Sequence, residues 1–312
     1  MRSLYPMCVR AAVATFVAAI AVPGCAGITG SVEPVATVRV APPAITLPLN
    51  GDAMRFAVIG DTGTGDAAQW RVAQQLIAAH SKFPFEFVLM LGDNLYGSEG
   101  AADYRRKFEE PYKPLLEAGV EFYASLGNHD DTNQIFYEPF NMGGERFYTF
   151  KPEDGVRVFA LDSNYMSPEQ LQWLEKELSA SKSGWKMAFF HHPLYSTGGR
   201  HGSDLRLREY LEPLFVKYGV DVVFSGHEHF YERLKPQKGI HYFISGGGGK
   251  LREGDIQGGP IHAKGFDQGY HFMLIELTDD VMHFQVVSGQ GKTVDSGAIR
   301  RPPTPAQLAI AS

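Results

Sequence analysis

Side chains that could bind metal follow five short apolar segments, each at the point where the apolar run ends. The donors are Asp61, Asp93, Asn128, His191, His227 and His229. A single polar residue after a strand is usually a turn or cap residue. His227 and His229 are harder to explain in that way, because two imidazoles one residue apart enter the same small volume. Together the donors predict a metal centre, since buried groups of this kind are costly without a cation or partner.

The apolar segments before these donors are rich in Val, Ile, Leu and Phe and predict buried strands. Helical patterns lie between several of them, at 66–80, 103–118, from 167 onward and at 204–216. Strands that alternate with helices indicate an α/β layered fold, whose ligands bind at the carboxyl ends of the strands. The last third has strands and few helices, and we expect it to form a second, more antiparallel sheet packed on the first.

Composition excludes several classes of protein. The chain has 312 residues, is 44% hydrophobic, and contains 21 Phe and 14 Tyr, so it can build a sizeable core and is not disordered as a whole. Its formal charge is -6 and it has no long Lys/Arg run, so we expect no nucleic acid as partner. Only Cys8 and Cys25 are cysteines, which leaves oxygen and imidazole ligands for a metal in the rest of the chain.

The N-terminus is typical of an export signal. Arg2 and Arg10 are basic, and Ala11 to Val22 is an apolar run too short to span a membrane comfortably. The residues before Cys25 resemble a bacterial lipobox, although Pro23 is unusual there. We therefore expect export to the periplasm, cell envelope or medium, with membrane attachment only through a lipid on Cys25. Signal-peptidase cleavage without lipidation is the alternative.

The domain organisation predicted from these segments is simple. A signal peptide at 1–25 is followed by a linker at 26–50, a catalytic domain at 51–299 and a flexible tail at 300–312 that contains three prolines. Gly246 to Gly249 lacks the Lys-Ser/Thr ending of a P-loop, and we expect it to be a flexible loop beside the site.

The donors stand in recognisable motifs. These are Asp61-x-Gly63, Gly92-Asp93-x-x-Tyr96, Gly127-Asn128-His129-Asp130, His191-x-Pro193 and Gly226-His227-x-His229. As a set they resemble the five-block signature of the calcineurin-like metallophosphoesterases. Tyr96 resembles the tyrosine of the purple acid phosphatases, in particular the small, single-domain, tartrate-resistant type. The resemblance spans about residues 55 to 299 and implies a four-layer α/β/β/α sandwich of two packed mixed β-sheets flanked by helices.

The resemblance also implies a ligand set for a ferric ion and a divalent ion, Fe, Zn or Mn. The ferric ligands are Asp61, Tyr96 and His229, the divalent ligands are Asn128, His191 and His227, and the bridge is Asp93. Ligand chemistry agrees, because a tyrosine with a pKa near 10 binds as phenolate only to a strong Lewis acid. The pattern His-x-Pro selects His191 rather than His192 as a ligand and leaves the role of His192 open.

The implied function is hydrolysis of phosphate monoesters at acidic pH by attack of a metal-bound hydroxide. The substrate would be a small phosphoester, and we expect a monomer. Asn128, His129 and His201 would bind the substrate, and the two histidines are the candidates for protonating the leaving group. A phosphodiesterase acting on cyclic nucleotides or phospholipid head groups is one alternative, and a non-catalytic surface protein that binds metal or phosphate is another.

Overall fold

The computed structural model describes residues 40 to 301. The strands are β1 Met54–Ile59, β2 Phe87–Met90, β3 Glu121–Ala124, β4 Tyr148–Phe150, β5 Val156–Ala160, β6 Trp185–Phe190, β7 Val222–Ser225, β8 Tyr231–Leu234, β9 His241–Ser245, β10 His262–Phe266, β11 His271–Leu277, β12 Val281–Ser288 and β13 Thr293–Arg300. The helices are α1 Ala67–His80, α2 Ala101–Tyr104, α3 Glu110–Glu117, α4 Pro168–Ala180 and α5 Leu205–Tyr218, with a π-helical turn Arg105–Glu109 and 3₁₀ turns Thr132–Phe136 and Glu138–Phe140.

The strands form two mixed sheets. The first sheet has the order β13-β12-β11-β1-β2-β3, and the second has the order β10-β8-β9-β7-β6-β5-β4. In the first sheet β1, β2 and β3 are parallel, and in the second β5, β6, β7 and β9 are parallel. Parallel neighbours end at the same edge of a sheet, so the loops after these strands gather at one rim.

The two sheets pack face to face and are covered by helices on both outer sides. Along β1, Phe56 and Val58 lie in the core between the sheets, whereas Ala57 and Ile59 face the core under α1 and α3. The second sheet buries Phe190 under α4 and α5. A strand covered on both faces is apolar throughout, which explains the uninterrupted apolar runs of the sequence. The predicted four-layer fold of two mixed sheets flanked by helices is confirmed.

The expectation that the last third builds the second sheet is wrong. Strands β11, β12 and β13 extend the first sheet, with β11 antiparallel to β1, while β8, β9 and β10 complete the second. The helix predicted over 103–118 is interrupted by its π-helical turn. Pro111 has no N–H to donate to the carbonyl of Lys107, and the side-chain amide of Gln69 donates to that carbonyl instead.

Part of the predicted linker touches the sandwich. The Thr46 N–H donates to Gln285 Oε1 at 2.8 Å, and Leu47 is buried in the core. The predicted signal peptide, the lipid site at Cys25, most of the linker and residues 302–312 lie outside the described residues, so the domain boundaries stay predictions. Within residues 40–301 no helix combines the length and apolarity that crossing a membrane requires.

Candidate metal centre

The predicted donors come together where the carboxyl edges of the two sheets meet. Loops after β1, β2 and β3 of the first sheet, and after β6 and β7 of the second, carry them. The first sheet supplies Asp61, Asp93, Tyr96 and Asn128, and the second supplies His191, His227 and His229. Asp162 also follows a strand, but its carboxylate pairs with Arg146 and takes no part in this group.

His191 presents a lone pair to the oxygens of Asn128 and Asp93. Its Nδ1 lies 2.9 Å from the carbonyl oxygen of Leu91, which can only accept, so Nδ1 carries the proton and Nε2 presents a lone pair. This Nε2 lies 3.0 Å from Asn128 Oδ1 and 3.3 Å from Asp93 Oδ1. His227 Nδ1 lies 2.9 Å from the same Asn128 oxygen. Lone pairs this close repel one another unless a cation lies between them.

A second group of donors lies beside the first. The Tyr96 hydroxyl oxygen is 3.3 Å from Asp61 Oδ1 and 3.4 Å from His229 Nε2, and that nitrogen is 3.4 Å from Asp61 Oδ1. Carboxylate oxygens of Asp61 and Asp93 and a ring nitrogen of His229 all lie within 4.8 Å of one another. Asp93 also faces His191, so its carboxylate stands between the two groups, where a bridging ligand would have to be.

The spacing of the donors fits bound cations. An octahedron or tetrahedron of ligands about 2.1 Å from a cation has edges of about 3.0 or 3.4 Å. The separations within the two groups run from 2.9 to 3.4 Å. Side chains already held at these distances need little rearrangement to surround a metal ion.

Burial and the neighbouring carboxylates shift the pKa values of the donors. Burial first, and the charge of Asp93 second, raise the pKa of Asp61 well above its usual value. Burial followed by both carboxylates raises the pKa of the Tyr96 hydroxyl. Burial lowers the pKa of His227 to about 2 and that of His229 to about 4, so both imidazoles stay neutral in mildly acid solution. Neutral imidazoles can bind a metal ion, whereas the raised pKa values of Asp61 and Tyr96 show that their anionic forms need a nearby cation to be stable.

Three of the donors have strained backbone. Asp61, Asp93 and His227 have φ values of 56°, 50° and 67°, in the left-handed region that non-glycine residues rarely enter. Each such residue costs about 1–3 kcal/mol and persists only where its surroundings require it. Strain at three positions of one cluster is typical of a functional site.

Asp130 joins the loops after β2 and β3. Its carboxylate accepts from the N–H of Leu95 at 3.0 Å and from the N–H of Gly127 at 2.7 Å. Gly127 itself leaves no room for a side chain, because a Cβ there would lie 2.1 Å from the Asp93 nitrogen and 2.2 Å from Asp93 Oδ1. Asn128 is thereby held next to Asp93.

Comparison with known proteins places this site in a family. The model of the calcineurin-like phosphoesterases matches residues 54–231, more than half of the chain. The chain belongs to the calcineurin-like phosphoesterase family. Tartrate-resistant acid phosphatase type 5 of Rattus norvegicus is 26% identical over 81% of this chain and 92% of its own length. Purple acid phosphatase 7 of Arabidopsis thaliana is 26% identical over 80% of this chain and 86% of its own length. The predicted resemblance is confirmed, and the chain is a phosphoester hydrolase.

Solved structures share the fold at lower identity. GAP50, described as the anchor in the inner membrane complex of Plasmodium, has a TM-score of 0.72 at 19% identity over 81% of this chain and 90% of its own. Purple acid phosphatase PPD1 of Lupinus luteus has a TM-score of 0.66 at 20% identity over 81% of this chain and 54% of its own. At these identities the similarity concerns the fold alone. The roles of residues are therefore argued from the side chains of this chain.

Both predicted substrate histidines of this phosphoesterase lie at the rim of the centre. The His129 N–H donates to Asp93 Oδ1 at 3.0 Å, and its ring centroid lies 4.9 Å from that of Tyr96. The ring of His201 lies 4.3 Å from that of His227. Both imidazoles are exposed, so they can reach a substrate that approaches from solvent.

His192 lies beside the first group of donors, with a ring nitrogen within 4.8 Å of ring nitrogens of His191 and His227. Its Nδ1 lies 2.9 Å from the hydroxyl oxygen of Ser163, and that hydroxyl also accepts from the His192 N–H at 3.0 Å. The His192 ring still packs 4.4 Å from the ring of His227. His192 therefore packs between Ser163 and the proposed ligand His227. The sequence had left the role of His192 open.

Sequence reasoning missed two cations at the rim of the phosphoesterase site. Lys250 Nζ lies 4.7 Å from the centroid of the Tyr96 ring. Arg252 Nη1 lies 3.0 Å from the fully buried Glu228 carboxylate, and its Nη2 lies 3.3 Å from His201 Nε2. No spacing or motif connects these residues to the donors, and only the path of the loop after β9 brings them to the rim.

The glycine run at 246–249 is buried and close-packed, in contrast to the flexible loop expected. A Cβ on Gly246 would lie 2.7 Å from Asp61 Oδ2, and one on Gly249 would lie 2.1 Å from the Thr62 carbonyl oxygen. The run lets the loop after β9 pack directly on the backbone that carries Asp61.

Proposed function

We propose that this phosphoesterase is a binuclear-metal phosphatase that hydrolyses phosphate monoesters at acidic pH. The observation that carries the proposal is the acceptor-only cluster around His191 Nε2, where Asn128 and Asp93 oxygens lie within 3.3 Å of an imidazole lone pair. A fold that buries such a cluster without a cation would bear a large electrostatic cost. The family and its acid phosphatase relatives supply the reaction class.

The two groups of donors differ in charge, which supports the metal assignment implied by the resemblance. The group of Asp61, Tyr96 and His229, together with Asp93, offers anionic oxygens and would hold Fe(III). The group of Asn128, His191 and His227 is neutral apart from the shared Asp93 and would hold a divalent ion, Fe, Zn or Mn. Two such cations would polarise a phosphoester and lower the pKa of water, which would keep hydroxide available in acid.

The chain's own residues would then position the ester and supply a proton. Asn128 and His129 are neighbours in the chain and exposed, and the ring of His201 packs beside that of His227. An imidazole within hydrogen-bond reach of the leaving oxygen can bind it and protonate it as the ester bond breaks. Lys250 adds positive charge at the rim, which favours the approach of an anionic ester, whereas Glu228 offsets the charge of Arg252.

Export is part of the proposal. The basic residues and apolar run before Cys25 support a periplasmic, cell-envelope or secreted enzyme, with a lipid on Cys25 as the only membrane attachment. The expected form is a monomer.

The metal assignment is tested by colour and metal content. Purified protein should contain two metal ions per chain, at least one of them iron, and show a visible tyrosinate-to-iron absorption band. Tyr96→Phe should lose the band, whereas Tyr165→Phe, at an exposed tyrosine outside the donor groups, should keep it. A colourless active enzyme with two divalent ions would contradict the ferric assignment.

The reaction is tested with paired substrates. Turnover of an aryl phosphate should exceed turnover of the corresponding bis-aryl diester, and the reverse ranking would favour the phosphodiesterase alternative. His129→Ala should lower kcat about 10²-fold on an alkyl phosphate, whose leaving group needs a proton. An unchanged kcat would remove the assigned role of His129. If the metal-loaded protein hydrolysed no phosphate ester, only the alternative of a non-catalytic protein that binds metal or phosphate would remain.

A further inference from the structure

A groove of about 250 Å³ opens between the loop that follows β5 and the first turns of α5. Ser163 to Met166 line it on one side, and Asp204, Arg206, Leu207 and Tyr210 line it on the other. None of the predicted site residues lines it.

Two residues of the groove wall, Ser163 and Asn164, connect it to the metal centre. Ser163 contacts His192 at 2.9 Å, and the His192 ring packs 4.4 Å from that of His227. On the same wall Asn164 Nδ2 donates to the carbonyl oxygen of Gly127 at 3.1 Å, and Gly127 directly precedes Asn128. The groove therefore adjoins the metal centre, because His192 alone separates Ser163 from His227 and Asn164 contacts the residue before Asn128.

Large apolar side chains are exposed around this groove. Of the six that are exposed in the described part of the chain, three are Tyr165 at 65%, Leu205 at 57% and Tyr210 at 38%. Tyr165 and Tyr210 line the groove, whereas Leu205 lies next to the lining residues Asp204 and Arg206 in the chain without lining it. Single exposed apolar residues are common, but several around one concave surface indicate a binding site.

The charges of the groove favour a neutral ring as its occupant. Arg206 lies with its guanidinium carbon 5.9 Å from the Tyr210 ring centroid. Asp204 supplies the opposite charge, and its Oδ1 already accepts from the N–H of Leu207 at 2.8 Å. One cation and one anion leave no excess charge, whereas tyrosine faces and a guanidinium plane both stack on flat rings.

We propose that this groove binds the aromatic ring of the leaving group of a phosphate monoester. The inference rests on the proposed phosphatase function, because the phosphate has to sit at the metal centre for its ester group to reach the groove. Aryl and nucleoside monophosphates share the required planar ring.

The first test compares substrates with and without a ring. The ratio of kcat/KM for phenyl phosphate to that for methyl phosphate should fall about three- to ten-fold in each of Tyr165→Ala and Tyr210→Ala. Phe136→Ala is the matched control, because Phe136 is a 72% exposed ring that does not line the groove. A double variant, Tyr165→Ala with Tyr210→Ala, whose ratio stays within twofold of the unsubstituted enzyme would overturn the proposal.

The second test measures ring binding without catalysis. In chelator-treated protein, phenol and adenosine should each show line broadening in their NMR spectra that is lost in the double variant and kept in Phe136→Ala. The probe that broadens at the lower protein concentration identifies the preferred ring. Equal broadening with the double variant would refute the groove as the site. If the unsubstituted enzyme hydrolyses neither phosphate, the proposed function fails, and this measurement still decides whether the groove binds rings.

Discussion

Gly127→Ala should disable the metal centre although it adds only one methyl group. The new Cβ would lie 2.1 Å from the Asp93 nitrogen and 2.2 Å from Asp93 Oδ1, whereas ordinary contacts begin at 3.4 Å. Either Asp93 or the loop carrying Asn128 must therefore move by about 1.3 Å. Gly127 does not have a positive φ, so the effect is steric rather than a matter of glycine's backbone freedom.

The expected size of the effect follows from that displacement. A misplacement of about 1 Å in a catalytic centre costs about 10²-fold in rate. Asp93 is the proposed ligand shared by both cations, so its movement should lower metal content as well as kcat. We expect kcat to fall at least about 100-fold with fewer than two metal ions retained per chain.

The assay measures kcat on phenyl phosphate, metal content and the circular dichroism spectrum of the same sample, with activity expressed per folded molecule. Gly51→Ala is the control, because a Cβ at Gly51 meets no atom within 4 Å and its φ is not positive. A folded Gly127→Ala protein with two metal ions and unchanged kcat would refute the reasoning, since Asp93 could then not occupy the bridging position.

Three further predictions concern stability. Burial lowers the pKa of His271 to about 4, below the unfolded value near 6.5, so its contribution is complete above pH 6.5 and is lost as the pH falls toward 4. His271→Leu should reduce the pH dependence of the unfolding free energy in that window by up to about 1.4 kcal/mol per pH unit, measured by urea titration, and an unchanged slope would exclude a buried neutral His271. Arg55→Ala leaves the fully buried Glu276 without its ion pair at 3.2 Å and should cost about 3 kcal/mol in the same titration. Lys113→Ala, at an exposed ion pair, should cost less than about 1 kcal/mol, and equal losses would contradict the role of burial. Chelation should lower the unfolding free energy by about 2.7 kcal/mol relative to metal at 100 times its Kd, and an unchanged Tm would count against a metal-bound native state.

The positions of the donors could be predicted from the sequence because of the way strands end. A polar residue that follows a buried strand lies at the end of that strand, and parallel strands place their ends together. Asp61, Asp93 and His191 illustrate this, since each directly follows a strand or is separated from it by one or two residues. The family resemblance then supplied Tyr96, which no strand pattern singles out.

The assignment of strands to sheets could not be predicted in the same way. Periodicity indicates that 271–277 is a strand, but it does not say which strand it pairs with. The pairing of β11 with β1 joins residues more than 200 positions apart, for example Met54 with Leu277. That choice depends on how both faces of the first sheet are buried, which is a property of the assembled layers.

The surroundings of the site were equally inaccessible to sequence reasoning. Arg252 reaches His201 because the loop after β9 folds over the rim, and Tyr165 meets the groove because a short loop follows β5. The left-handed backbone of Asp93 and its close contact with Gly127 are likewise features of the folded loops. These contacts depend on the three-dimensional course of the loops, which short sequence patterns do not determine.

The division of the donors between two sheets has a consequence for how such a protein can diverge. Four donors belong to one sheet and three to the other, so the distances between them are fixed by the apolar core that holds the sheets together. The exposed side chains of Tyr165 and Tyr210 contribute nothing to that core. A lineage could therefore exchange one ester for another by substituting such outer side chains, while the hydrolytic machinery remained as constant as the interior of the sandwich.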